Sequence, residues 1–403
     1  VTDAQRPAAA RKGEALESAS APWHSLSGWQ HALVLCLLAA ATLARFPSSI
    51  ASPSPLGDEI VHEIAYRLEA SGRSPYVDGD YVYPPSLLRI GTALRALPLP
   101  SPFLPLRAAS VAGLALILWS AAAWLPLSIA GRIGACVLAI AAAPGIRQGI
   151  ELGNLSFAVG GLIVAGLLGW RRAPVGSGLA LGASLLVKPL APAALVALFC
   201  HRPGLTLRHR LAGAVAATAA AAALLSDPAW RDFLEHSSRT WVLGRTASVH
   251  RFLALANLPA FAKGLALLLL LAVAVAAWRR VHDRPQLLAL ALAGCVTVTP
   301  VVWNHTLVLT LPLQAMAVTL ALARLRAAKA ADHRWRRWEA VAIALAWAAL
   351  LFGEGATGID DRGTALQIFA TLPPALAPAV LAAYVLRFHS PTSAASPAPR
   401  QTP

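Results

Sequence analysis

The chain predicts an all-α, polytopic membrane protein: about ten membrane-crossing helices, a re-entrant hairpin and an amphipathic helix in the first outer loop. Three observations predict it. Hydrophobic residues fill 57% of 403 positions and charged residues only 13%, against about 25% in a soluble domain. Apolar runs of span length recur along the chain. Basic residues punctuate the gaps between those runs instead of gathering on one face, as the positive-inside rule predicts, so the net charge of +15 reads as membrane topology and not as a nucleic-acid footprint.

Residues 1–28 are polar and rich in Ala, Ser and Pro, a flexible cytoplasmic tail without a cleavable signal peptide. The membrane domain runs over 29–388, and 389–403 form a disordered tail. The first helix, 29–46, leaves the cytoplasm. Residues 47–104 stay outside as a long loop that opens on SPSP, which keeps the chain extended. Within it, 58–70 has helical period: Ile60, Val61, Ile64, Ala65 and Leu68 form an apolar stripe, with Glu59, His62, Glu63 and Arg67 away from it. Such a helix suits the membrane interface. Gly72 ends it, YVYPP at 81–85 places aromatics at headgroup depth, and 87–97 is too short to cross.

Spans follow at 106–130, 133–144 and 153–170. A full crossing by 177–199 would leave the basic HRPGLTLRHR at 201–210 outside, so this segment reads as a re-entrant hairpin with Lys188-Pro189 near its tip. Residues 211–225 cross, 226–261 form a second outer loop, and crossings at 263–278, 287–303, 306–323, 340–352 and 366–388 leave both termini cytoplasmic. Cys36, Cys136, Cys200 and Cys295 make no CxxC pair, so they read as packing or lipid-facing residues, with neither zinc nor disulfides implied.

Acids are concentrated in 56–85, which holds Asp58, Glu59, Glu63, Glu69, Asp78 and Asp80. Asp58, with Glu59 beside it, suits a general base: inverting sugar transfer needs a carboxylate to take the acceptor's proton. Asp58 equally suits a helix N-cap, and the two roles are compatible. Lys188 is the one cation placed deep in an apolar segment, which marks it for holding an anion; snorkelling to an interface is the competing reading. Arg147, Glu151 and Asn154 share a face if their helix continues and could line a sugar pocket, or Arg147 and Glu151 are an ordinary pair at a helix end. His305, beside Trp303 and Asn304, suits a phosphate or hydroxyl contact or an interfacial anchor. Arg231, Arg239, Arg245 and Arg251 make the second outer loop basic, which fits an anionic lipid carrier.

Asp58-Glu59 in a first outer loop resembles the acidic motif of the GT-C superfamily, integral membrane glycosyltransferases that use polyprenyl-phosphate sugars. The acid, then GRSPY at 72–76 and YVYPPSLL at 81–88, resembles the opening of glycosyltransferase family 87, the polyprenol-phosphate-mannose-dependent α-mannosyltransferases. Leu152-Gly153-Asn154, the stretch from Gly178 and Gly182 to Lys188-Pro189, and Thr299-Pro300 through Trp303-Asn304-His305 resemble three further family segments in the family's order. The resemblance spans 56–323. It implies a GT-C-like bundle in the cytoplasmic (inner) membrane with its active site on the outer, periplasmic side. It implies transfer of a hexose, mannose above all, from a polyprenyl-phosphate donor to a glycolipid or glycan acceptor by inverting displacement. Asp58 and Glu59 would be catalytic, and Tyr83, Arg147, Asn154, Lys188 and His305 would bind substrate. No cofactor is implied, and the sequence holds no nucleotide-binding fingerprint, which fits a lipid-linked donor. The competing reading is a polytopic transporter or lipid-carrier flippase, which broken helices and an intramembrane lysine also suit, although no internal repeat is found.

Overall fold

The computed structural model describes residues 20–388, apart from 22, 80, 171, 189, 202–210, 212, 217, 220–221, 223–226, 241–260, 300–303, 328–336 and 346–363. Both predicted tails, Arg245, Arg251, Pro189 and Trp303 therefore lie outside the described residues, apart from 20–21 and 23–28 at the inner edge of the first tail. Every regular element among the described residues is helical. Two helices are long and apolar enough to cross a membrane, Leu104–Ala122 and His305–Arg326. A third candidate is the pair Ile129–Ala142 and Pro144–Glu151, bent by 60°. The proline at the bend cannot supply a backbone N–H to continue the first helix. The fold is that of a helical membrane protein.

Helix α1 (Gly28–Arg45) starts where Gln30 reaches back to accept the Ser27 N–H at 2.7 Å, satisfying one donor left over at the helix start. It packs on α5, and α2 (Pro47–Ile50) follows it. Helix α3 (Gly57–Ala70) carries the first acids, and α4 (Pro85–Arg95) starts on the YPP segment. Helix α5 (Leu104–Ala122) crosses against α8 (Ser156–Gly169), separated from it by the bent pair α6 (Ile129–Ala142) and α7 (Pro144–Glu151). The α5–α8 contact needs glycine: a Cβ at Gly161 would stand 2.4 Å from the Gly113 Cα. Small residues let helix backbones approach this closely, which is how helices associate where lipid removes the hydrophobic drive.

Helix α9 (Pro174–Val187) stops at Lys188, whose backbone is extended, and α10 (Pro192–Cys200) resumes after the break. Beyond α11 (Ala229–Thr240) and α12 (Phe261–Arg280) comes α13 (Arg284–Val298), buried at every position from Gln286 to Thr297. A helix apolar all round belongs in the middle of a bundle. Helices α14 (Asn304–Leu307), α15 (Leu311–Ala327) and α16 (Thr364–Phe388) complete the described bundle, α14 lying against α7.

Two cores result. The large one joins the bundle helices. The small one is aromatic and joins Tyr66, Tyr76, Tyr81, Tyr83 and Phe103 of the first long loop to Trp230 and Phe233 of α11. Arg89 ties this cap together, bonding Glu69 and, at 2.8 Å, Asp227. Ser74 bonds Asp232 at 3.1 Å, and Ser86 donates to the Leu186 carbonyl of α9.

Helix α3 is turned inside out by the standards of a soluble protein. Ile60 and Ile64 are 48% and 53% exposed, while Glu59 and His62 are 2% and 1% exposed. The expected stripe divides: Ile60, Val61 and Ile64 face outward and Ala65 inward. The expected polar face divides too, Glu59 and His62 going in and Arg67 out. Outward isoleucines on a helix beside an apolar bundle suit a lipid surface.

Candidate active site

Asp58 is the second residue of α3. Its backbone N–H donates to the Leu152 carbonyl at 2.8 Å, which seats the first turn of the helix on the turn that follows α7. That turn passes through Gly153 at φ +69°, a left-handed conformation that suits glycine, so the chain reverses sharply after Leu152 and brings Asn154 beneath Asp58. The Asn154 amide donates to Asp58 Oδ2, and the phenol of Tyr83 lies 3.5 Å from the same oxygen. The other end of the amide is fixed: Asn154 Oδ1 accepts the Ser156 N–H at 2.8 Å. Asp58 is half-buried while Asn154 is buried, so the carboxylate is braced from below and open on one side.

Burial, and after it the Asp58 charge, push the Tyr83 phenol far above its ordinary range, so it stays a proton donor to the carboxylate. His62 backs Tyr83 with ring centroids 4.5 Å apart and holds the Tyr81 hydroxyl at 2.8 Å through Nδ1. Burial first, and the Lys188 charge second, lower His62 to about 3, which makes it a neutral ring.

Lys188 reaches the same place from the break after α9. Its Nζ donates to Ser156 Oγ at 2.8 Å, and that hydroxyl lies 3.5 Å from Thr306 Oγ1 of α14. Ser156 is therefore shared: its amide fixes Asn154, and its hydroxyl holds Lys188. The Asp58 and Lys188 charges act on each other. His305 is buried against Gly149, where a Cβ would lie 3.0 Å from the His305 Cβ. Among the described residues, neither of its ring nitrogens has a hydrogen-bond partner, and Gln148 Oε1, on the helix packed against it, has none either. Buried polar atoms left open in this way are groups a ligand or water can satisfy.

The structure thus brings Asp58, Tyr83, Asn154 and Lys188 together and puts His305 one residue from the hydroxyl that touches Ser156. Arg147 goes elsewhere. It is exposed and pairs with exposed Glu151 at 3.1 Å, because α7 ends at Glu151 and the turn at Gly153 sends Asn154 to the opposite side. The expected shared face of Arg147, Glu151 and Asn154 is corrected on that ground. Glu59, expected beside Asp58 in the chemistry, has both carboxylate oxygens taken by Arg107.

Sequence reasoning missed Arg107, Ser156 and His62. Arg107 and Arg132 are both more deeply buried than Lys188, the cation singled out from the sequence. The signal for Arg107 was its position one residue inside a predicted span, where a charge is costly and calls for a partner. Among the described residues no three His, Cys, Asp or Glu side chains group to hold a metal ion.

A helical membrane protein that presents a braced carboxylate and an amine at one place has the parts of a group-transfer enzyme. The chain belongs to glycosyltransferase family 87, whose model matches residues 81–303, more than half its length, and it is a glycosyltransferase. The transporter reading is thereby set aside. The match includes Tyr83, Asn154 and Lys188, begins after Asp58 and ends just before His305. No curated protein and no solved structure matches the chain.

Proposed function

We propose that this glycosyltransferase moves a hexose, mannose on the family resemblance, from a polyprenyl-phosphate donor to a hydroxyl of a glycolipid or glycan acceptor. The reaction takes place on the outer side of the cytoplasmic membrane, in a bundle of about ten crossings whose break at Lys188 is the tip of a re-entrant hairpin. The observation that carries this reading is the Asp58 carboxylate, held by Asn154 and Tyr83 and left open on one side, with the Lys188 amine anchored on the same Ser156 that orients Asn154. The outward isoleucines of α3 support placing that carboxylate at lipid headgroup depth, where a prenyl-linked sugar arrives from the side.

Asp58 takes the proton of the acceptor hydroxyl as its oxygen attacks the anomeric carbon. The bond from that carbon to the phosphate oxygen breaks, and its electron pair leaves with the polyprenyl phosphate. The carbon inverts, and the proton passes from Asp58 to water. Negative charge grows on the phosphate during the step, and Lys188 is the cation at hand to stabilise it. His305 and Tyr83 contact the sugar or the phosphate. Purified protein incubated with a panel of labelled polyprenyl-phosphate sugars and membrane lipid extract tests the reading. One sugar passes to a lipid or glycan product, and the Asp58→Asn variant, normally folded, forms it at least about 100-fold more slowly. Full activity in that variant removes Asp58 as the base.

A further inference from the structure

We propose that Glu59 and Arg107 form a positioning pair that fixes the Asp58 carboxylate, and that Glu59 takes no part in the chemistry. This rests on Asp58 being the base. Arg107 Nε donates to Glu59 Oε1 at 2.8 Å and Nη2 to Oε2 at 2.6 Å, a bidentate pair whose side chains are 3% and 2% exposed. The rest of the guanidinium is spent on the segment before α3: Nη1 donates to the carbonyls of Ile50, at 3.3 Å, and Ser52, and Nη2 to that of Ser54 at 2.9 Å. Glu59 Oε2 also accepts the Leu56 N–H at 2.8 Å. A planar fork with five donors and no acceptor can join three carbonyls to one carboxylate in this way, which an ammonium cannot copy.

Glu59 also rests on the turn that holds its neighbour. A Cβ at Gly153 would lie 2.6 Å from Glu59 Oε1, so the acid is packed directly on the glycine between Leu152, which bonds the Asp58 amide, and Asn154, which bonds the Asp58 carboxylate. Arg107 thereby joins α5, the loop at 50–56, the first turn of α3 and the turn at 153 into one unit. Asp58 sits inside that unit with its main chain and side chain both tied. Neither Glu59 oxygen is free to meet a substrate proton. A misplacement of about 1 Å in a reacting group costs on the order of 100-fold in rate, which sets the scale of the expected effect.

The test measures kcat against pH for Asp58→Asn, Glu59→Gln, Glu59→Asp, Arg107→Gln and the Glu59→Gln/Arg107→Gln pair. The probe is labelled polyprenyl-phosphate mannose with membrane lipid extract, and folding is checked by gel filtration and thermal shift. Glu59→Gln and Arg107→Gln are each expected to lower kcat about 10- to 100-fold and to keep the acid limb of the profile. The double variant is expected to be no slower than the slower single one, as for residues acting as a unit. Where either charge-removing variant fails to fold, Glu59→Asp decides: it keeps the charge, withdraws the carboxylate by one methylene, and is expected to lose about 10-fold in kcat with the acid limb in place. The proposal is overturned if Glu59→Gln removes the acid limb while Arg107→Gln has wild-type kcat, or if Glu59→Asp has wild-type kcat. Retained kcat in Asp58→Asn is a different failure, that of the base itself.

Discussion

Helix α13 is surrounded by apolar neighbours from Gln286 to Thr297, whereas α3 buries an acid and an imidazole and leaves isoleucines outside. The first helix is held by close packing, which is spread over many weak contacts and tolerates one hydrophobic residue in place of another of like volume. The second is held by a few directional bonds: Arg107 to Glu59, Leu152 to Asp58, and His62 to Tyr81. Few bonds of fixed geometry place a carboxylate closely but leave little redundancy. The bundle therefore supplies stability and the cap supplies geometry, and substitutions in the two should fail in different ways.

The sharpest break between them is expected at Asp58. Asp58→Asn should lower transfer by about 10²- to 10⁴-fold, the range of a lost general base, with an unchanged melting temperature. Lys188→Met should follow at about 10²- to 10³-fold in kcat, the range for losing one stabilising group at developing charge. A normal rate there would confine the amine to holding Ser156.

In the bundle the order reverses. Gly161→Val drives a side chain toward the Gly113 backbone, where even a Cβ would stand 2.4 Å from Cα. Overpacking of this kind costs about 1–3 kcal/mol and should show as a lower melting temperature, with kcat per folded molecule within about two-fold of wild type. An unchanged melting temperature would mean that α5 and α8 separate freely.

The cap also carries a pH signature. His62 is held to about 3 in the folded chain against 6.5 when unfolded, by burial first and the Lys188 charge second. The folded state refuses a proton that the unfolded chain accepts. The stability contributed by the neutral ring is therefore complete above pH 6.5 and is lost as pH falls toward 3. Between pH 6.5 and 5 the loss amounts to about 2 kcal/mol. His62→Phe should flatten the fall in denaturation midpoint over that interval, and an equally steep fall would assign it to other groups. The smallest effect is expected at Arg147→Ala, within about two-fold of wild-type kcat, since an exposed i,i+4 pair contributes little. A large loss would return Arg147 to the substrate.

Much of this was legible in the residues. The helix expected at 58–70, its stop at Gly72 and the break at Lys188 all follow from pattern and turn chemistry. What sequence could not supply was direction. Arg147 and Asn154 are seven positions apart and share a face only if one helix contains both; a single left-handed glycine undoes that. Asp58 and Glu59 are chemically alike, and what separates their surroundings is distant in the chain: Arg107, 48 residues from Glu59, takes one acid, while Tyr83 and Asn154 hold the other. Nor does an apolar run tell a lipid-facing helix from one as enclosed as α13, because both read as uniformly greasy.

The turn at Gly153 has a consequence for synthesis on the ribosome. Asp58 is translated nearly a hundred residues before the asparagine that braces it, and Lys188 comes later still. A nascent chain that has inserted only its first helices carries the acid without the brace or the amine. With Asp58 as the proposed base, such a chain lacks the assembled centre, which forms only when the later segments dock.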